Sequence, residues 1–345
     1  MGPADWRASV LPGEFEPASA GEWMTPQIEA PFPYDELIYS WHSRLAEGEG
    51  FRLYLQVGFG DEDVSPWLYA GHWGDIPAIE PRENPTFADG SVAMDQLLLD
   101  RKARTWRFKA VSTGSQPLTA PPALYVVGTD NARVDNTRIA ATRLASAELP
   151  ILDLPLRPQM SSTGEKMPDR CQSAALAAAL QYYGHELPLE TIVPLCWDPE
   201  YEYPGIWPRT LGAATQLGFD GYIDRFRDWD AVRATLALNR VILVSMRMPK
   251  GDGYIAPPYS SMTGHIVALN GVTADGRVIV TDSALGESGR GYRLQWLMED
   301  FEKVWMETKG GVGMVICPPE GAMLRSLGEP AAFPDDPERQ AASGK

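Results

Sequence analysis

The sequence predicts an all-β domain followed by an α+β domain, in which a helical layer packs on an antiparallel sheet. Two observations lead to this fold class. Short segments rich in aromatic and β-branched residues fill the first 148 residues, and strong helix formers followed by apolar strand-like segments occupy the rest. Because 345 residues exceed the usual size of one domain, we predict a β-sandwich-like domain over 1–148, an α+β domain over 149–322 and a disordered tail over 323–345.

The strand-like segments of the first domain are separated by Gly, Pro, Asp and Asn, as in antiparallel sandwiches. They are "ELIYSW", "FRLYLQV", "SPWLYAGHW", "SVAMDQLLLD", "TWRFKAV" and "ALYVVG", and no helix is expected among them. We expect most tryptophans of this half to pack in the core, although a sugar-stacking surface would use the same residue type. These tryptophans are Trp6, Trp23, Trp41, Trp67, Trp73 and Trp106. His42 and His72, in the same strands, are expected to be structural.

The second domain begins after the proline-containing junction "LPILDLPLRPQMSSTGEKMPDR". Residues 172–183 are strong helix formers that stop at Gly184, and "PLETIVPLC", "WPRTLGAATQLG" and "DWDAVRATLALN" are also predicted helices. Five predicted strands follow, with "LMEDFEKVW" as a helix between the last two. The strands are "RVILVSMRM", "HIVALNGV", "RVIVTDSA", "GYRLQW" and "GVGMVICP".

Charge and cysteine usage exclude several classes of protein. A formal charge of −16 repels nucleic acid and anionic lipid surfaces, so neither is an expected partner. No apolar run reaches the length of a membrane span, and the first residues lack a basic segment followed by an apolar one. The chain is therefore expected to be soluble, and either cytoplasmic or exported after removal of a signal. Its three cysteines are unevenly spaced, which argues against a disulfide framework and a zinc site, and no metal or cofactor is expected.

Cys171 stands at the first turn of the alanine-rich helix, in "MPDRCQSAALAAALQYYG". The positive end of the helix dipole and unpaired backbone N–H groups at this position favour thiolate over thiol, which prepares a nucleophile. A small buried cysteine would also suit the helix, so the position alone leaves both interpretations open.

His265 supplies a base for this cysteine. It opens an apolar strand in "SSMTGHIVALNGV", whereas His185 follows the same helix as Cys171 and would lie about 20 Å away from it. A turn at Asp275-Gly276 predicts a hairpin that returns Asp282 to the same end of the sheet, where its carboxylate can orient the imidazole. A core histidine and a strand-capping aspartate are the structural alternatives.

Gln159, in the loop that leads to the Cys171 helix, is a candidate for the oxyanion hole, because such a hole combines the backbone N–H of the nucleophile with a side-chain amide. A solvated loop glutamine is the alternative. Asn270 lies five residues along the strand from His265, too far to replace Asp282. Tyr203 and Trp207, in "YEYPGIWPRT", are candidates for the walls of a substrate groove, and packing at the helix entry is the favoured interpretation of both.

The second domain resembles the papain-like cysteine peptidases, and among them the bacteriocin-processing branch that cuts double-glycine leaders. The resemblance covers roughly residues 150–318 and rests on "LPLRPQM", "CQSAALAAALQYYG", "GIWPRTLGAATQLGFDGYIDRF", "TGHIVALNGV" and "VIVTDSA". It implies a papain-like fold with Cys171 as nucleophile, His265 as general base and acid, Asp282 as orienting residue and Gln159 in the oxyanion hole. Gln172-Ser173 follow the cysteine where the family often has Gly-Pro, and nine residues lengthen the loop after "PQM".

These observations predict a cysteine peptidase that cuts peptide or isopeptide bonds of a peptide or protein substrate through a thioester. Family members that cut leaders are usually fused to a membrane transporter, which is not found in this sequence, so leader processing is not the preferred substrate. Two alternatives remain. The same residues would serve an acyltransferase or deamidase, and an inactive papain-like protein would instead bind a glycan, a protein or another cell-surface ligand through the β-rich domain.

Overall fold

The computed structural model describes residues 3–60, 62–76, 84–145, 148–251 and 253–319. The predicted tail, 323–345, lies outside these residues. The described chain is a mixed α and β structure with two antiparallel sheets and few helices. This agrees with the predicted class at that level.

The first sheet contains ten strands among the described residues, and its two longest strands, β4 and β9, pair with each other within it. Its path runs β1-β10-β4-β9-β3-β2, while β5 and β8 also pair with β9, β6 pairs with β5, and β7 pairs with β8. The strands are β1 (Asp5–Val10), β2 (Glu16–Ser19), β3 (Glu22–Met24), β4 (Ile28–His42), β5 (Gly50–Gly58), β6 (Leu68–Gly74), β7 (Thr86–Phe87), β8 (Gly90–Ala93), β9 (Gln96–Ser112) and β10 (Ala123–Thr129).

Alternation of side chains explains why β9 is a strand. Trp106, Phe108 and Ala110 are buried, whereas Arg107 and Lys109 between them are partly exposed. Strands β1 to β3 lie outside the predicted set. The predicted strand "SVAMDQLLLD" is instead a hairpin, because Met94 adopts a φ of 59° and turns the chain between β8 and β9.

The tryptophans of this half pack inward. Four of the six are buried and the other two are half-buried. Trp6 and Trp106 stack with ring centroids 5.9 Å apart. The glycan-binding alternative therefore finds no exposed tryptophan surface in the described part of this half.

The second sheet has six strands in the order β11-β16-β12-β13-β14-β15. Its strands are β11 (Gly221–Arg225), β12 (Val241–Met248), β13 (Met262–Val272), β14 (Arg277–Thr281), β15 (Leu294–Leu297) and β16 (Val312–Ile316). The helices of the described chain are α1 (Thr137–Ala145), α2 (Cys171–Tyr182), α3 (Leu189–Cys196), α4 (Trp207–Gln216), α5 (Trp229–Ala237) and α6 (Met298–Glu302), which continues as a π-helix over Lys303–Glu307.

Two of these elements correct the sequence prediction. Helix α1 lies where no helix was expected, and tertiary contacts stabilise it. Arg143 pairs with Glu302, and the Thr142 hydroxyl accepts a hydrogen bond from the backbone N–H of Trp229. Strand β11 was not predicted because it carries Asp224 and Arg225, which read as surface residues although both are buried.

The two sheets meet across ion pairs whose members are buried or half-buried. Arg7 of β1 donates to Asp224 of β11 at 2.7 Å, Arg227 pairs with Asp5 at 2.9 Å, and Arg225 forms an ion pair with Glu36 of β4. Helix α4 also packs on β4. The apolar core continues from one sheet to the other, so both sheets support the region around α4. No helix within the described ranges is long and apolar enough to span a membrane.

Candidate active site

Cys171 is the first residue of α2 and is half-buried. The alanines behind it are almost fully buried, so the helix packs closely on its neighbours, including β13. Asp169 adopts a φ of 60° just before the helix, which turns the entering chain. The backbone N–H groups of Gln172 and Ile266 help to lower the pKa of the thiol. The fold thus brings a helix start and the sheet to one thiol.

His265 faces this thiol from β13. It pairs with Met246 of β12 in the sheet, and its imidazole is near enough to the Cys171 side chain that each shifts the pKa of the other. The other contact of the ring joins Nε2 to Asp282 Oδ1 at 2.8 Å. Because Nε2 faces the carboxylate, Nδ1 is the nitrogen left for Cys171, and the imidazole lies between the two other groups.

Asp282 lies at the end of β14, one residue beyond the Ala268–Thr281 pair of the β13-β14 hairpin. Its side chain is fully buried, at 0% exposure. Besides His265, its carboxylate accepts hydrogen bonds from the Tyr259 hydroxyl at 2.6 Å and the Ala284 N–H at 2.9 Å. Three donors therefore stabilise a buried charge that would otherwise be costly.

The electrostatics favour a thiolate and an imidazolium. Burial alone would raise the pKa of the Cys171 thiol, but the hydrogen bond and charge of His265, with two backbone N–H groups, lower it below its ordinary value. Burial alone would lower the pKa of His265, but Asp282 and Cys171 together raise it to about 10. Burial would likewise raise the pKa of Asp282, and its contact with His265 lowers it instead.

Gln159 hydrogen-bonds to Arg170, the residue before Cys171, and to Ser283, the residue after Asp282. Its Oε1 accepts from the N–H of Arg170, which precedes Cys171, at 2.6 Å. Its Nε2 donates to the hydroxyl of Ser283, which follows Asp282, at 3.2 Å. The side chain is half-buried and held at both ends, so it is not a free loop glutamine.

Other sequence candidates lie elsewhere. The His185 ring packs edge-on against Phe219 at a centroid distance of 4.9 Å. Asn270 donates to the Leu152 carbonyl and accepts from Thr281, a structural role within the sheet. Burial lowers the pKa of His42 to about 4, as expected for a structural histidine.

His72 belongs to a buried polar cluster with Asp198 and Glu200, whose ligand atoms lie within 4.8 Å of one another. Such a group could hold a cation. Here the guanidinium of Arg209 already lies 2.9 Å from His72 Nε2 and 3.8 Å from Asp198. A positive charge is thus built into the cluster, which does not fit a metal site.

The two predicted groove residues differ in exposure. Tyr203 is 42% exposed, and its pKa is raised by burial first and then by nearby charges that include Cys171. Trp207 is only 5% exposed, and its indole N–H donates to Ser245 on β12 at 3.2 Å. Gln172 donates to the Ile206 carbonyl at 3.0 Å, which joins this segment to the start of α2. Tyr203 is exposed enough to line a substrate groove, whereas Trp207 packs at the helix entry.

Tyr259 is a site residue that the sequence pattern does not reveal. It lies in a loop before β13, donates to the buried carboxylate of Asp282 and packs edge-on against His265, with ring centroids 5.9 Å apart. The signal available in the sequence was its position six residues before His265, in "PPYSSMTGH". Nothing in that spacing identifies its partner.

The fold and this arrangement fit the class of cysteine peptidases, which are hydrolases. Residues 151–312 match the model of the Peptidase_C39 like family. The resemblance inferred from the sequence is confirmed at this level. No curated protein matches the chain.

Solved structures also resemble this half of the chain. One is a double glycine motif protease from an AMS/PCAT transporter in complex with the leader peptide, at 18% identity and a TM-score of 0.33, covering 50% of this chain and 97% of that one. Another is a putative C39-like peptidase from Bacillus anthracis, at 15% identity and a TM-score of 0.37, covering 49% and 96%. The likeness to the peptidase family rests on the match of residues 151–312 to the family model.

Proposed function

We propose that the protein is a cysteine peptidase that hydrolyses peptide or isopeptide bonds through a thioester, with Cys171, His265 and Asp282 as its catalytic triad. The observation that carries the proposal is the imidazole of His265, which lies 2.8 Å from a buried carboxylate and also lowers the pKa of the Cys171 thiol. A nucleophile, a base and an orienting group in that order are the parts that covalent acyl transfer requires.

The chemistry follows from these charges. The Cys171 thiolate attacks the carbonyl carbon of the scissile bond and forms a tetrahedral oxyanion. As this intermediate collapses, the C–N bond breaks and the leaving amine takes the proton of the His265 imidazolium, which leaves a thioester. Water then attacks the thioester and gives a proton to the neutral imidazole. Release of the carboxylic product restores the thiolate and the imidazolium.

The oxyanion of both steps needs preorganised donors. The N–H of Cys171 at the start of α2 and the amide of Gln159 are the proposed pair. The two fixed ends of Gln159, at Arg170 and Ser283, support this role, because they hold its side chain beside the nucleophile and the orienting aspartate without a loop rearrangement.

We also propose the division into a β-sandwich-like accessory domain over 1–148 and a papain-like peptidase domain over 149–322. The separate strand sets of the two sheets support this division. Their shared apolar core and the ion pair between Arg7 and Asp224 support the proposal that the accessory domain stabilises the peptidase domain.

The decisive experiment maps iodoacetamide labelling of the full chain by mass spectrometry at pH 6. Cys171 should react, whereas Cys196 and Cys317 are buried thiols whose pKa burial raises to about 11 and about 12, so they serve as internal controls. His265→Ala should abolish the rapid labelling. Labelling of Cys171 no faster than an ordinary free thiol would refute the proposed ion pair.

A second measurement tests the bond that is cut. A library of quenched fluorescent peptides should be cleaved by the wild type and not by Cys171→Ala, while Cys196→Ala retains activity if it folds. Added primary amines at millimolar concentration then distinguish hydrolysis from acyl transfer. Amide products in place of acids would assign the same triad to a transferase and contradict the hydrolase proposal.

A further inference from the structure

A cavity of about 360 Å³ lies where the two sheets meet, outside the triad. Residues of the first sheet, including Glu36 and Gln96, form one side of it. Residues of the second sheet and of the turn that precedes β16 form the other, including Arg225, Arg247 and Lys309. Its volume is sufficient for a small ligand or for one side chain of a larger one.

The lining is basic although the chain is acidic. Four basic side chains line the cavity, Arg225, Arg227, Arg247 and Lys309, against two acidic ones, Glu36 and Glu307, in a chain of net charge −16. In a concave site such an excess of one sign attracts ligands of the opposite sign. The cavity therefore carries a charge preference opposite to that of the whole molecule.

Internal partners account for only part of this basic charge. Arg227 is held by Asp5. Glu36 forms an ion pair with Arg225 and also accepts from the side chain of Gln96, so its carboxylate is already engaged. Within the described ranges, Arg247 and Lys309 make no ion pair.

The surroundings of Lys309 and Arg225 disfavour their positive charges. The Lys309 ammonium lies 4.9 Å from the centre of the Trp207 ring, and burial, Arg247 and Arg225 lower its pKa against the opposing charge of Asp95. Arg225 is only 3% exposed, and its buried Nε has no hydrogen-bond partner among the described residues. Like charges held together with an unused donor are the surroundings that an anion would stabilise.

The backbone fixes this arrangement. Gly310 and Gly311 adopt φ values of 59° and 70° in the turn before β16, and the Gly310 carbonyl accepts from Arg225 Nη1 at 3.2 Å. A Cβ on Gly310 would lie 2.2 Å from that nitrogen. Glycine is therefore required for the turn to approach the guanidinium.

We propose that this cavity is a binding site for an oxyanion, a carboxylate or a phosphate group, held by Lys309, Arg247 and Arg225. The inference goes beyond the proposed peptidase activity and does not depend on it. The group could belong to a free small anion or to an acidic residue of a peptide. The second source has a structural path, because Trp207 lines the cavity and its indole donates to Ser245, which pairs with Ile266 beside His265.

The test uses the full chain with Cys171→Ala, so that no peptide is cleaved. The binding result can then be interpreted whether or not the peptidase proposal holds. Isothermal titration calorimetry at constant ionic strength measures binding of inorganic phosphate, and separately of two peptides that differ only by one Glu or Gln. Lys309→Met and Arg247→Gln should each weaken anion binding roughly tenfold, the loss of one charge-assisted contact. Lys250→Met removes an exposed charge outside the lining and should change nothing.

Each outcome decides the proposal. Phosphate binding that both cavity variants weaken supports a free anion as the ligand. Preference for the Glu peptide that disappears in Lys309→Met supports the peptide source. Absence of both, or binding that the cavity variants leave unchanged, overturns the site. Thermal unfolding of each variant, matched to that of Lys250→Met, ensures that a loss of binding does not reflect a loss of fold.

Discussion

Asp282→Asn tests the central electrostatic argument, because it removes the buried charge and leaves a side chain of the same shape. The carboxylate lies 2.8 Å from His265 Nε2, and its contact contributes to the rise of the histidine pKa from 6.5 to about 10. Without it, the imidazolium loses stability and can no longer hold the Cys171 thiolate at low pH. The thiol of Cys171 should then ionise at a higher pH.

The size of the effect follows from the buried geometry. Removing one partner of a buried ion pair costs about 3–5 kcal/mol, and one pKa unit corresponds to about 1.36 kcal/mol. We take the lower end, about two pKa units, because the sulfur and two backbone N–H groups still favour the ion pair. Iodoacetamide labelling of Cys171 at pH 6 should therefore slow by about 100-fold.

The pH dependence of labelling distinguishes a raised pKa of Cys171 from a general disruption of the site. Above the ordinary thiol pKa of about 8.5 the sulfur ionises without help, so the two proteins should differ by less than about tenfold at pH 10. Asp153→Asn is the control, because that carboxylate is 71% exposed, and its labelling profile should match the wild type. Equal rates at pH 6, or the same loss at every pH, would refute the reasoning.

Other perturbations test the surroundings of the triad. Tyr259→Phe removes a charge-assisted hydrogen bond of 2.6 Å and should lower kcat about tenfold with little change in KM; steady-state kinetics check this, and Tyr182→Phe, which loses an exposed bond of the same length, should match the wild type. Asp169→Val should cost about 1–2 kcal/mol in urea unfolding, and Asp169→Gly much less, because the residue has a φ of 60°. Equal costs would contradict the strain. The folded state raises the pKa of His265, so its stabilisation is full below pH 6.5 and is lost as the pH rises towards about 10. In a Cys171→Ala background only Asp282 still raises the pKa of His265. The unfolding free energy that His265→Gln removes should therefore shrink as the pH rises above 6.5, and it should do so at lower pH than with Cys171 present; a loss that grows with pH would argue against the linkage.

Local patterns were sufficient to predict much of the second half of the fold. The alanine-rich helix ends at Gly184, which has a φ of 88°, and the turn at Gly276 forms the predicted hairpin. A hairpin fixes which strand ends meet, so the spacing of His265 and Asp282 along the chain could predict their proximity in space. This is why a sequence without a structure could indicate the candidate site.

Long-range pairing limits what a sequence predicts. Strand β11 carries Asp224 and Arg225. Both can be buried because Arg7 and Glu36 of the other sheet form ion pairs with them. Tyr259 is similar, because its partner Asp282 lies in another element. Polar residues that are buried through distant partners leave no periodic signal.

Two further long-range hydrogen bonds connect the first sheet to the segment that carries Tyr203 and Trp207. Asp95, in the turn between β8 and β9, accepts from the backbone N–H of Trp207 at 2.7 Å, and so satisfies a donor at the first turn of α4. Tyr69 of β6 donates to Glu200 at 2.7 Å, in the same segment as Tyr203. Because these contacts hold the Tyr203 segment and the start of α4, we expect the first half of the chain to influence substrate access. The residues that lower the pKa of Cys171 all lie in the second half.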